Sequence, residues 1–155
     1  VAGDEKIDAH FPPDDGIDFD GVYDGKIGKI RWIKRLAFGG QLGIGELYGT
    51  HAYTTGTLSY ATCTVTSPTE QTVQMRFCSD DDGIVWLDGE QVHRFEGQRG
   101  LEFDADIVEM TLPEGESRIV VKVYNRSGMH GLFMRFTDLD GNPLEGLVFA
   151  PTGVE

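Results

Sequence analysis

Basic residues are scarce. The 155-residue chain holds 13 Lys and Arg against 26 Asp and Glu, a net charge of −13. Nucleic acids and anionic membrane surfaces are held by Lys and Arg on phosphate, so this balance argues against both. Cations and neutral ligands remain open to the chain. Long apolar runs are missing as well, and none approaches the roughly 20 residues of a membrane span. No secretory leader is visible. Val1 starts inside polar sequence, as expected of a mature form or an excised module.

Helical periodicity is also lacking. Apolar residues never recur at i, i+3, i+4 over three turns, which leaves no crossover helix for a parallel sheet. Cysteine is nearly absent, with only Cys63 and Cys78. If residues 67–70 form the hairpin loop between their strands, Cys63 lies opposite Gln74. That is about 13 Å of strand from Cys78, too far for a disulfide. Two buried free thiols are expected, although a longer loop or a sheet crossing would bring them closer. No Gly-x-Ser-x-Gly elbow and no Cys/His pair at a known catalytic spacing is present, so an enzyme is not expected.

Glycine is abundant, at 21 residues scattered without period, and reads as turn punctuation. Short alternating segments recur every 8 to 15 residues with turn signals between them. Strands are expected at 29–36, 58–66, 72–77, 84–87, 91–95, 107–112, 118–124, 131–137 and 144–149. This is the pattern of an all-β protein, an antiparallel β-sandwich or jelly roll in a single domain. Residues 1–26 read as an N-terminal arm or linker, 27–150 as the module and 151–155 as a tail. Asp14, Asp15, Asp18 and Asp20 look like a calcium loop, but no Glu closes the EF-hand spacing. Residues 38–48 read as a glycine-rich apolar loop over a sheet edge.

The stretch 72–92 organises the rest. Val73, Met75 and Phe77 alternate with polar residues. An acidic break follows at Asp80, Asp81 and Asp82, then a short strand with Trp86. Asp88-Gly89 suits a type I′ turn, since glycine tolerates positive φ. Three adjacent carboxylates repel each other unless a cation or N–H groups offset them. They could serve a Ca²⁺, which takes six to eight oxygens, with Asp104 and Asp106 adding more if the loops converge. The competing reading is a turn in which the Asp side chains cap backbone N–H groups.

Trp86 lies on the opposite face from Val85 and Leu87. Trp and Tyr offer a flat amphipathic surface suited to the C–H face of a sugar. Trp86, Tyr48 and Tyr53 are therefore ligand-binding candidates, and Trp32 and Tyr124 are further aromatics of that type. Arg94, Arg99 and His130 are candidates for the polar edge. His130 has no second His at ligand spacing.

Ser79-Asp80-Asp81-Asp82-Gly83-Ile84-Val85-Trp86-Leu87-Asp88-Gly89 resembles the core motif of galactose-binding-like β-sandwich modules of secreted bacterial proteins. Asp82 stands where that motif has Gly. Tyr60-Ala61, Ser67-Pro68, Arg99-Gly100-Leu101, Val121-Lys122-Val123 and Gly131-Leu132-Phe133 continue the likeness, which covers about 29–136. The same hairpin is similar to sugar-binding modules of the anthrax protective-antigen type. Adhesins of that group hold Ca²⁺ on an adjacent Asp pair, here Asp80 and Asp81. The resemblance implies a non-catalytic carbohydrate-binding module, Ca²⁺-assisted, on a secreted or cell-surface protein, with a glycan or polysaccharide as partner. A structural or assembly role beside sister domains or subunits is the alternative.

Overall fold

The structure is a computed structural model and describes residues 6–48 and 55–153, without the side chain of Tyr48. Among the described residues eleven strands form three antiparallel sheets. β1 (Val22–Gly25) and β2 (Gly28–Arg31) make a separate hairpin. The four-stranded sheet runs β3 (Gln41–Gly43), β10 (Gly131–Thr137), β5 (Gln71–Asp80), β8 (Asp106–Leu112). The five-stranded sheet runs β11 (Val148–Ala150), β4 (Thr57–Ser67), β9 (Gly115–Asn125), β6 (Asp82–Leu87), β7 (Glu90–Phe95). Among the described residues the only α-helical element is a single turn, α1 (Pro12–Asp15).

The two larger sheets share one core, as the expected sandwich requires. Val73, Met75, Phe77, Leu112, Leu132 and Phe136 face it from the four-stranded sheet. Val65, Val85, Ile119, Val121 and Val123 face it from the five-stranded sheet. These are the alternating positions of each strand. Each fully buried side chain of this size contributes roughly 1.5–3 kcal/mol by leaving water. Val85 faces this core, whereas Ile84 joins a second cluster with Ile7 and Leu58 on the outer face of the five-stranded sheet.

Two expectations are corrected. β4 and β5 do not pair with each other; β4 pairs with β9 and β11, and β5 with β10 and β8. The 67–70 turn therefore crosses between sheets, and Cys63 and Cys78 sit in different layers as free thiols. The strand expected at 29–36 ends at Arg31, and residues 33–39 are exposed. The N-terminal arm lies against the sandwich. Ile7 is 1% exposed beneath it, and the Lys122 ammonium donates to the Ala9 carbonyl at 2.7 Å and to Asp14 at 2.9 Å.

Candidate functional site

The acidic triplet is a corner between sheets. β5 ends at Asp80, β6 starts at Asp82, and the Asp80–Asp81 peptide is cis. All three residues are buried, at 4%, 1% and 1% exposure. Only glycine fits at position 83, where a Cβ would come within 2.5 Å of Ser79 Oγ. Asp81 accepts from the backbone N–H groups of Arg99, Arg126 and Ser127 at 2.8, 2.8 and 3.2 Å. Asp82 accepts from the Gly97 N–H at 2.6 Å and pairs with the Arg126 guanidinium at 2.9 Å. The corner thus ties down the loops after β7 and β9.

Asp80 is different. Its carboxylate accepts no hydrogen bond among the described residues. Burial, and then repulsion from Asp81, push its pKa up to about 6.

Asp104 and Asp106 do not join the triplet's carboxylates. Asp104 sits between Arg135 and Arg76, which donates at 2.9 Å, and Arg135 foremost holds its pKa below the usual carboxylate range. Asp106 takes a bidentate contact from Arg99, at 2.9 and 2.7 Å, and a 2.9 Å contact from His93. Burial opposes its ionisation, but Arg99 and His93 outweigh that and hold its pKa low. Among the described residues no three Asp, Glu, His or Cys side chains are grouped as a metal ion needs. The five carboxylates are thus not gathered in one cluster, and guanidinium groups and backbone N–H groups already meet four of them.

Several expected ligand contacts are also relocated. Arg99 lies over the Phe95 ring at 3.5 Å from its centroid, and it donates to the Ser79 carbonyl at 2.9 Å, so it braces the corner. His130 is 3% exposed instead of lining a rim, and burial lowers its pKa to about 4. Trp32 meets Phe19 edge-on at 5.7 Å. Tyr53 and the side chain of Tyr48 lie outside the described residues.

Trp86 and Arg94 do come together, on the outer face of the five-stranded sheet. Cross-strand register places Gln91, Trp86, Val120 and Thr62 in one row. The next row holds Arg94, Ile84, Lys122 and Tyr60. The arm covers that second row. Ile7 packs on Ile84, and Arg94 pairs with Asp8 at 2.8 Å. Asp14 receives Lys122 at 2.9 Å and the Tyr60 hydroxyl at 2.9 Å. Burial opposes ionisation of Asp14, but the Phe11 N–H, Lys122 and Tyr60 prevail and lower its pKa.

Trp86 packs in part against the Ile7, Leu58 and Ile84 cluster, and the arm forms one wall of a groove of about 890 Å³ beside it. Trp86, half-buried, lines it with Val120, Gln91, Arg118 and Glu116. The last three side chains make no hydrogen bond or ion pair among the described residues. The Arg118 backbone N–H is held by Asp88 Oδ1 at 2.7 Å, which fixes the strand end while leaving the guanidinium free. Sequence reasoning missed Gln91, Arg118 and Glu116. Their signal was present in strand 118–124, where an inward Val121 and Val123 place Arg118 and Val120 outward beside Trp86. Compared with protein-family models, curated proteins and solved structures, the chain matches none.

Proposed function

We propose that this chain is a non-catalytic carbohydrate-binding module of a secreted or cell-surface protein, and that the outer-face groove is its binding site. The observation that carries the reading is Trp86 on an open sheet face beside three unengaged polar side chains. An indole presents a flat apolar surface to the C–H face of a pyranose. Gln91, Arg118 and Glu116 supply donors and acceptors for the ring hydroxyls around it. The lining is mixed in charge with acid in excess, Asp8, Asp14, Asp15, Asp88 and Glu116 against Arg94, Arg118 and Lys122. That mixture favours a neutral saccharide over a polyanionic one. The likeness to galactose-binding-like and protective-antigen-type modules points to the same ligand class.

Affinity electrophoresis against soluble neutral and acidic polysaccharides tests the proposal. Retardation by a neutral polysaccharide, abolished by Trp86→Ala and weakened by Arg118→Ala, supports it. Unretarded migration in every polysaccharide overturns it. Calcium enters this reading only through Asp80, the corner carboxylate without a donor, which a bound cation would relieve of its charge. A melting temperature that rises with Ca²⁺ and falls back with chelator supports that assistance, since a ligand of the native state stabilises it by mass action. An unchanged value removes it.

A further inference from the structure

Residues 26–38 run against the charge of the whole chain. They hold five of the 13 basic residues, Lys26, Lys29, Arg31, Lys34 and Arg35, and no acidic one. The remainder, with eight basic and 26 acidic residues, carries −18. Lys29 is answered by Asp24 at 2.5 Å, and the Lys26 ammonium donates to the Thr55 carbonyl. Arg31, Lys34 and Arg35 form no ion pair among the described residues.

The same stretch is where apolar side chains stand in solvent. Residues 33–39 are all exposed. Ile27 is 56% exposed, Ile33 51%, Leu36 75% and Phe38 79%. Together they expose on the order of 400–500 Å² of apolar surface, comparable to the largest, often functional, patch on a typical monomer. The turn holding Phe38 is anchored to the sandwich. Phe38 bridges to Gln41, and the Met134 N–H donates to the Gly40 carbonyl at 2.9 Å. Phe38 is therefore presented from an anchored turn.

We propose that residues 26–38 form a docking surface for the acidic surface of a second copy of this chain. Charge complementarity selects the occupant. The partner must be acidic with apolar ground between its charges, and the rest of this chain supplies that composition. An anionic lipid surface offers the same sign, but it would press the −18 of the remainder against a continuous sheet of like charge. Between two protein copies the contact is local, and the repulsion of the two bodies is screened beyond about 8 Å at physiological ionic strength. Donor and acceptor surfaces differ, so the contact is head-to-tail and builds open chains or closed rings. The inference stands apart from carbohydrate binding, because it uses no residue of the groove.

Sedimentation velocity of the chain from 10 µM to 1 mM at physiological salt tests it. The expected result is concentration-dependent association, weakened at least tenfold in Leu36→Ser/Phe38→Ser and in Lys34→Glu/Arg35→Glu. Both double variants replace exposed residues, and their melting temperatures should match the parent. A parent that stays monomeric throughout overturns the proposal, as does association that both variants retain. A monomeric parent that pellets with vesicles containing phosphatidylserine overturns it in favour of a lipid surface.

Discussion

Replacing Asp81 by alanine removes an acceptor that serves three backbone N–H groups on two loops. Hydrogen bonds to a charged acceptor contribute about 1.5–3 kcal/mol each, and a donor stranded without water costs about as much. The sum for three is reduced here. Arg126 and Ser127 are exposed, and water reaches their N–H groups once the carboxylate is gone. The half-buried Arg99 N–H bears most of the loss. We expect Asp81→Ala to cost about 3 kcal/mol and Asp81→Asn, which keeps one acceptor oxygen, about 1–2 kcal/mol. Urea unfolding at pH 7 in chelator, followed by tryptophan fluorescence, reads both values. A cost below about 1 kcal/mol for Asp81→Ala would refute the view that this carboxylate ties the loops.

Its neighbour should respond in the opposite direction. The Asp80 pKa is raised from 3.8 to about 6, so the native state binds this proton more tightly than the unfolded chain does. The resulting stabilisation is complete below about pH 4 and is lost as pH rises through 6. Two pKa units set a ceiling of about 3 kcal/mol. Asp80→Asn should therefore match the parent at pH 4 and exceed it at pH 7 by up to that amount. An Asp80→Asn variant less stable than the parent at pH 7, with divalent ions removed, would show that an unseen donor or cation serves this group.

Three further outcomes follow from the same contacts. Arg118→Ala should weaken polysaccharide retardation while moving unfolding free energy by no more than about 0.5 kcal/mol, as for surface substitutions generally. Ile7→Ala should weaken arm docking by about 2–4 kcal/mol, seen as faster proteolysis within residues 6–20 while the sandwich core stays resistant. Asp104→Asn should be less stable than the parent at neutral pH. Because the Asp104 pKa is lowered, its contribution is present above the ordinary carboxylate range and is lost as pH falls through and below it. Denaturation from pH 7 down to pH 2 should show the two curves converging.

The strands of the sandwich were legible in the sequence because burial on one face imposes period two. β10 was read at its observed bounds, and the Asp88-Gly89 turn takes the positive φ expected of it, 50° and 90°. Pairing was less legible. A four-residue turn such as 67–70 serves a hairpin and a sheet crossing equally well, and only the shared core distinguishes them. The acidic triplet was legible as a break between strands but not as a buried one, because isolated carboxylates prefer water. What compensates their burial comes from the backbones of 97–99 and 126–127, far along the chain. His130 and Arg99 failed as exposed contacts for a related reason, since exposure at a loop depends on what folds over it. Trp86 was placed on the correct face by alternation, yet its open side depends on where the arm ends.

Basic residues are few enough to trace one by one. Arg76, Arg99, Arg126 and Arg135 answer the buried or half-buried Asp104, Asp106 and Asp82. Lys122 and Arg94 hold the arm through Asp14 and Asp8, and Lys29 meets Asp24. Burying a carboxylate without such a partner is expensive, so these cations follow from the fold and say little about ligands. Lys6, Lys26, Arg31, Lys34, Arg35 and Arg118 form no ion pair among the described residues. Four of these six crowd into residues 26–35, and Arg118 stands at the groove beside Trp86. In a chain of −13 a cation without a structural partner lies amid acidic surface it does not use. Such cations are concentrated at the two surfaces argued to bind, and the acidic corner has none left over. Charge reversal at Arg118 should therefore affect saccharide retardation alone, and reversal at Lys34 and Arg35 self-association alone. Cross-effects between the two sites would show that they are one surface.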